Sequence, residues 1–185
     1  MKNLKLKKFL SVFLFLLLFV GIAEAKISKS QNIADLFTSV NPSLGANKAK
    51  DYATVVIHAG EKFKQDPYVI AAIIVHESTV NHKALSKGGD YGLMQVRWKV
   101  HEKAIKQRFP KVKKAKDMFD ARTNILYGTE IFSDCMKKAN NNVRGGILRY
   151  SGGNEKLANK VINTVNELKS KENTSTSKKV KVKKK

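Results

Sequence analysis

The chain has 185 residues, enough for one domain with tails, and its 42% hydrophobic and 28% charged residues suit a globular core and exclude disorder throughout. Lys and Arg number 36 against 15 Asp and Glu, so the formal net charge is +21 and polyanionic partners are favoured. One cysteine excludes an intramolecular disulfide, no Cys/His cluster suits a structural zinc site, and no apolar run reaches the roughly 20 residues of a membrane span.

Residues 1–25 are typical of a secretory signal peptide. Lysines precede an apolar run from Phe9 to Val20, and Ala23-Glu24-Ala25 supplies the small residues of a cleavage site. The alternative is an uncleaved N-terminal anchor, although the run is short for a span. We expect cleavage near Ala25 and export to the periplasm, the cell envelope or the exterior.

The next part of the chain, residues 26–50, is predicted to be an N-terminal segment that precedes the catalytic domain. It is polar, contains only a weak amphipathic stretch at 33–37, and is interrupted at Asn41-Pro42. Apolar residues at three- and four-residue spacing then predict a helix over about 48–64.

A second helix, over about 68–79, is predicted to be the buried centre of the fold. Asp66-Pro67 marks its start, because Asp is a favoured N-cap and proline has the backbone angle of a first helical turn. The segment is apolar on nearly all sides as far as Val75, which is typical of a helix surrounded by protein.

The remainder of the domain also predicts helices and little or no β-structure. Gly88-Gly89 requires a loop over 86–92, and Asp120 can cap a long helix. We therefore predict one all-α domain over residues 51–168. Its later helices are expected at about 97–108, from Asp120 to about 139, at about 142–150 and at about 154–168.

The end of the chain, residues 169–185, predicts a disordered Lys-rich tail. It carries eight lysines and one glutamate and almost nothing that could be buried. Specific nucleic-acid readers use arginine forks or aromatic platforms, and neither pattern is present, so we expect no specific nucleic-acid partner. For an exported protein, the tail indicates adhesion to anionic cell-envelope polymers.

Glu77 stands where the central helix should end, directly after the apolar run. Partial burial disfavours the ionised carboxylate and raises its pKa, and the carboxyl end of a helix acts in the same direction. A carboxylic acid that keeps its proton at neutral pH can protonate the leaving oxygen of a glycosidic bond. The alternative is an ordinary glutamate at a helix end, facing water.

Four short motifs follow one another between residues 77 and 152. The first is a Glu-Ser pair at a helix end, the second a serine with a Gly-rich turn, the third an Asn-Ile pair before a helical glycine, and the fourth a tyrosine near two glycines. The motifs are Glu77-Ser78, Ser86 with Gly92-Leu93-Met94-Gln95, Asn124-Ile125 with Gly128, and Arg149-Tyr150-Ser151-Gly152. In this order they resemble the soluble (Slt)-type lytic transglycosylases, including small exported forms found beside secretion systems.

The resemblance covers about residues 52–165 and implies a lysozyme-like helical fold. It also implies cleavage of peptidoglycan glycan strands between N-acetylmuramic acid and N-acetylglucosamine, with formation of a 1,6-anhydro ring. Glu77 would act first as acid and then as base. By resemblance or as cleft-facing candidates, the substrate-binding residues are Ser86, Met94, Gln95, Tyr150 and Tyr127.

The four histidines lack metal-ligand spacing, so we expect no metal, and we expect no cofactor. We also expect a monomer, with a secretion apparatus as one candidate partner. Two departures leave the reaction open: Ser151 replaces the usual asparagine, and Asp90 is a possible second carboxylate. With Asp90 or a positioned water, the same fold could be a hydrolytic muramidase. A third alternative, from another class, is a non-catalytic basic protein that binds the cell envelope.

Overall fold

The computed structural model describes residues 29–182, with side chains as far as residue 174. The predicted signal peptide, residues 1–25, lies outside the described residues. Among the helices that are described, none combines the length and the hydropathy of a transmembrane span.

The described chain is mainly α-helical, which confirms the predicted fold class. Its β-structure within the described residues is one short antiparallel hairpin, in which Asp90 pairs with Arg97 and Tyr91 with Val96, and an isolated bridge between Leu85 and Tyr91. The elements are α1 (29–40), α2 (Ala46–Phe63), α3 (Pro67–Ser78), β1 (Asp90–Tyr91), β2 (Val96–Arg97), α4 (Trp98–Arg108), α5 (Ala121–Lys138), α6 (Val143–Tyr150) and α7 (Glu155–Val182), with 3-10 turns at Pro42–Leu44 and Ala115–Phe119.

Helix α3 is the buried centre of the fold, as the sequence predicted. The Asp66 carboxylate caps it by accepting a hydrogen bond from the backbone N–H of Tyr68 at 3.0 Å, and Pro67 occupies the first turn. Every residue from Tyr68 to Val75 is buried. Helices α2 and α7 pack against α3, and α5 packs against α2 and α6. The carboxyl end of α3 is thereby held rigidly inside the domain.

Helix α1 contributes more to the core than its sequence indicated. Ile33, Ala34 and Phe37 are almost completely buried, and the Asn32 side chain donates a hydrogen bond to the Tyr68 hydroxyl at 3.0 Å. Their spacing of one and four residues gives a narrow apolar stripe, which is enough to pack the helix on the core while its other faces remain in contact with solvent. The N-terminal segment therefore helps to cover α3.

Helix α7 continues to Val182, where the sequence predicted a helix end near 168 followed by a disordered tail. Leu168 is buried, Lys169 Nζ lies 2.9 Å from Asp66 Oδ2, and Lys29 Nζ lies 3.9 Å from Glu172 Oε2. These contacts tie the helix to the start of α3 and to α1, and Lys and Glu are good helix formers. The last helix, predicted to end near 168, therefore extends to Val182, and residues 183–185 lie outside the described residues.

Candidate active site

A cleft of about 360 Å³ opens beside the carboxyl end of α3. Its walls come from the β1–β2 hairpin, the first turns of α4, the middle of α5 and the end of α6. Four of the predicted site residues line it together, Glu77, Asp90, Gln95 and Tyr150, and Ser151 lines it as well. The cleft therefore brings to one place residues that are more than 70 positions apart in the chain.

Glu77 is half-buried at the last turn of α3. Burial first, and then the negative charge of Asp90, raises the pKa of Glu77 to about 7. Near neutral pH a large fraction of these carboxyl groups therefore keeps its proton. That is the property required of a general acid at the operating pH.

The turn directly after Glu77 has an uncommon backbone. Thr79 and Val80 both lie in the left-handed region, with φ of 50° and 59°, which is unfavourable for β-branched residues. The turn is held by burial of the Val80 side chain and by a hydrogen bond of 3.3 Å from the Asn41 side-chain amide to the Val80 carbonyl. Ser78 donates back to the Ile74 carbonyl at 3.0 Å, so its hydroxyl serves the helix end.

Asp90 is surrounded by hydrogen-bond donors. Arg97 donates through Nε to Oδ1 at 2.6 Å and through Nη2 to Oδ2 at 3.0 Å, and the Ser86 hydroxyl donates to Oδ2 at 2.7 Å. The hydrogen bonds from Arg97 are the largest cause that lowers the pKa of Asp90, and the Ser86 hydroxyl adds to them. Asp90 is therefore a stable carboxylate at neutral pH, on the same cleft as Glu77.

Ser86 and Gln95 both bind the backbone of the loop between α3 and β2. The Ser86 oxygen accepts hydrogen bonds from the N–H groups of Gly88 and Asp90 at 3.1 and 3.0 Å, and Ser86 does not line the cleft. Gln95 donates through Nε2 to the Gly92 carbonyl at 2.9 Å, while its side chain also lines the cleft. Ser86 shapes the loop, whereas Gln95 both shapes the loop and faces the cleft.

Met94 lies under the loop, completely buried against α5. Its N–H donates to Asn124 Oδ1 at 2.8 Å, and Asn124 Nδ2 donates to the Tyr91 carbonyl at 2.7 Å. One helical turn further on, a Cβ at Gly128 would lie 2.7 Å from both Cβ and Sδ of Met94. Asn124 and Gly128 therefore explain their motif physically: one binds the loop backbone and the other leaves room for Met94.

Tyr150 holds the end of α6 against the same loop. Its hydroxyl donates to the Met94 carbonyl at 2.7 Å, and the residue lines the cleft. Burial, followed by the charge of Glu77, raises the pKa of Tyr150 well above its usual value, so the hydroxyl stays protonated. The hydroxyl of Tyr150, predicted from the sequence to bind substrate, thus donates to the loop backbone.

Tyr127, predicted from the sequence as a substrate-binding residue, lies in the core instead. It is only 4% exposed, and its ring meets the edges of His101 and Phe109 at centroid distances of 5.7 and 6.0 Å. It does not line the cleft. The helix position that buries Tyr127 on α5 cannot also present it to a substrate.

Sequence reasoning gave no role in the site to three charged or titratable residues of the cleft: Arg97, His101 and Arg149. Only the strand register, which places Arg97 opposite Asp90, reveals the role of Arg97. Burial lowers the pKa of His101, which favours the neutral ring at neutral pH. Within the described part of the chain, no group of three or more His, Cys, Asp and Glu residues could hold a metal ion.

A family model described as the transglycosylase SLT domain matches residues 54–173. The match covers well over half of the chain and includes every residue that lines the cleft. It confirms the resemblance seen in the four motifs and agrees with the mainly helical, lysozyme-like architecture. Proteins of this family act on peptidoglycan outside the cytoplasm.

Proposed function

Since the chain belongs to the transglycosylase SLT family, we propose that it is a lytic transglycosylase that cleaves the bond between N-acetylmuramic acid and N-acetylglucosamine in peptidoglycan. One observation carries the proposal: a carboxyl group with its pKa raised to about 7 lies in a cleft at the end of the central helix. Glu77 is that group.

In the first step, protonated Glu77 donates its proton to the glycosidic oxygen, so that the leaving sugar departs as a neutral alcohol. The half-buried position supports this role, because desolvation is the first cause of its raised pKa. The substrate's own acetamido group stabilises the developing cation, as in substrate-assisted glycosidases.

In the second step, the muramyl 6-hydroxyl oxygen attacks the anomeric carbon, and the Glu77 carboxylate accepts the proton of that hydroxyl. The product carries a 1,6-anhydro ring, and the acid is regenerated. This route is favoured over attack by Asp90 as a second carboxylate, because both oxygens of Asp90 already accept hydrogen bonds from Arg97 or Ser86. The negative charge of Asp90 instead raises the pKa of Glu77 and so favours its protonated form.

Gln95 and Tyr150 are the substrate-orienting residues of this proposal, since both line the cleft. Met94 and Ser86 act indirectly as positioning residues: Met94 seats the loop on α5, and Ser86 orients Asp90. Tyr127 has no place in the proposal because its side chain is in the core.

A hydrolytic muramidase is the second candidate. The observation that favours it is an ionised Asp90 on the wall of the same cleft, where a carboxylate could orient an attacking water. The two reactions differ in their products, because a terminal anhydro sugar is lighter by one water than the hydrolysis product.

The deciding experiment is mass analysis of purified cell-wall sacculi digested by the wild-type protein and by Glu77→Gln. We expect anhydro-terminated fragments from the wild type and a loss of at least about a hundredfold in the variant, the usual contribution of a general acid. Glu61→Gln is the matched control, because Glu61 is an exposed glutamate of α2 outside the cleft.

Product ends that are heavier by one water, as hydrolysis leaves them, would establish the muramidase instead. Equal lysis by Glu77→Gln would refute the acid assignment, and binding of sacculi without any lysis would favour the non-catalytic envelope-binding alternative.

We also propose export by the signal peptide at residues 1–25 and attraction to anionic wall polymers through the Lys-rich residues 169–185. The formal net charge of +21 supports this attraction, which should weaken as salt is added. A monomer acting on the wall, alone or beside a secretion apparatus, accords with this proposal.

A further inference from the structure

The cleft contains one charged side chain that the proposed mechanism does not use. Arg149 is exposed and lines the cleft from the last turn of α6. Within residues 29–174, no side chain forms a hydrogen bond or an ion pair with its guanidinium. Arg97, on the same cleft, is by contrast bound to Asp90 through two hydrogen bonds.

The other titratable groups of the cleft leave the charge of Arg149 unbalanced. Asp90 and Arg97 neutralise each other. Burial lowers the pKa of His101, so its ring is largely neutral at neutral pH, and the pKa of Glu77 is raised to about 7, so that only part of this carboxyl population is ionised there. The cleft thus presents a positive charge on the α6 wall.

The backbone that carries Arg149 is fixed. The next residue, Tyr150, is anchored by its hydrogen bond of 2.7 Å to the Met94 carbonyl, and Gly146 and Ile147 are buried on the inner face of α6. A fixed backbone with a free guanidinium is suited to bind an anionic group of a ligand.

We propose that Arg149 binds a carboxylate of the glycan strand and thereby makes charged strands the preferred substrate. The inference rests on the proposed function. A guanidinium matches a carboxylate with two parallel N–H···O bonds, which an uncharged sugar cannot provide. Peptidoglycan offers this chemistry from two sources: the carboxylates of the stem peptide, and the lactyl carboxylate that remains on muramic acid when the peptide is removed.

Three substrates separate these sources: strands with stem peptides, strands freed of peptides by an amidase, and peptide-free strands whose lactyl carboxylates have been converted to methylamides. For the wild type we expect a KM about threefold to tenfold lower on at least one of the two charged substrates than on the neutral one, with similar kcat. Whichever charged substrate shows the lower KM identifies the carboxylate that Arg149 binds.

Two variants of Arg149 and one control complete the test. Arg149→Gln should raise KM on charged strands to the neutral value and leave the neutral substrate unaffected, whereas Arg149→Lys should restore part of the preference. Arg122→Gln removes the same charge from an exposed position on α5 outside the cleft, and it should keep the wild-type ratio. Equal ratios in the wild type and Arg149→Gln, or the same loss in Arg122→Gln, would overturn the inference.

Calorimetric binding of the same three strand types keeps this test independent of cleavage. If the wild type cleaves none of them, the proposed function fails, while a preference for charged strands that disappears in Arg149→Gln still supports the role of Arg149. If cleavage is normal but the binding preference is absent, only the Arg149 inference fails.

Discussion

The end of α3 and the β1–β2 hairpin each place one carboxyl group on the same cleft, and the two regions shift the pKa of that group in opposite directions. At the end of α3, burial and a neighbouring negative charge raise the pKa of Glu77 to about 7. On the hairpin, hydrogen bonds from Arg97 and Ser86 lower the pKa of Asp90. Two side chains of the same chemistry thus take different protonation states at neutral pH.

The difference teaches that hydrogen-bond donors and burial, rather than position on the cleft, decide which carboxyl group can act as a general acid. Asp90 faces a guanidinium across a strand pair, so its charge is stabilised wherever the hairpin forms. Glu77 lies in the last turn of an apolar helix, where burial and the charge of Asp90 disfavour its ionised form. When their environments push the pKa values of two carboxyl groups apart, the group with the higher pKa can serve as the acid and the other stays ionised.

The largest effect is expected when the loop that carries the hairpin loses its hydrogen bonds to α5, because the position of Asp90 relative to Glu77 depends on that loop. Asn124→Ala removes the acceptor of the Met94 N–H and the donor to the carbonyls of Tyr91 and Met118, all at a fully buried position. Leaving such groups unpaired should cost about 2–4 kcal/mol of unfolding free energy.

Denaturant unfolding monitored by circular dichroism measures this cost. Thr123→Ala, at the preceding and only partly buried position of α5, is the control and should stay within about 1 kcal/mol of the wild type. An Asn124→Ala protein as stable as this control would mean that the loop does not depend on the asparagine.

A second experiment tests the raised pKa of Glu77 through the pH dependence of the free energy of unfolding. A carboxyl whose pKa is raised on folding opposes folding once it must ionise, so the cost is absent below the unfolded pKa and complete above about pH 7. Glu77→Gln should therefore stabilise the protein by about 1–3 kcal/mol at pH 8 relative to its effect at pH 4.

Thermal unfolding of the wild type and Glu77→Gln at both pH values tests the sign. Glu61→Gln, at an exposed site, should show little change between them. A Glu77→Gln protein that loses stability as pH rises from 4 to 8, relative to the wild type, would contradict a raised pKa in the folded state.

The smallest expected effect concerns the influence of Asp90 on Glu77. Removing the charge in Asp90→Asn should lower the pKa of Glu77, because the Asp90 charge is the second cause that raises it. Since burial, the larger cause, remains, the alkaline limit of glycan cleavage should move to lower pH by no more than about one unit.

The pH profile of kcat/KM for soluble glycan fragments measures that shift. Asp134→Asn removes a carboxylate from an exposed position of α5 outside the cleft and serves as the control. If the alkaline limit moved to higher pH in Asp90→Asn, the electrostatic link between the two carboxyls would be disproved.

Local signals account for the parts of the fold that sequence analysis placed well. The start of α3 depends on Asp66 and Pro67, which act within one helical turn, and the position of Glu77 at its end depends on the length of the apolar run. Similarly, Asp120 caps α5 by accepting from the Thr123 N–H at 2.8 Å, as its sequence position indicated. Such interactions join neighbours in the chain, so the order of residues suffices to predict them.

The extent of the terminal helices was not predictable in this way. Helix α1 is stabilised by burial against α3, and α7 continues past Leu168 alongside ion pairs with Asp66 and α1. Both depend on surfaces supplied by distant segments, and a polar, lysine-rich sequence gives no indication of them.

By itself, the sequence determined the helical class, the central helix, the acid at its end and the four motifs of the family. Only the tertiary structure decided that Tyr150 reaches the cleft while Tyr127 is buried, and that Arg97 binds Asp90 whereas Arg149 has no hydrogen-bond or ion-pair partner among residues 29–174. The reason is physical: periodicity shows that one face of an element will be buried, but which partner covers that face, and which side chains are left at its edge, depends on how distant elements pack together.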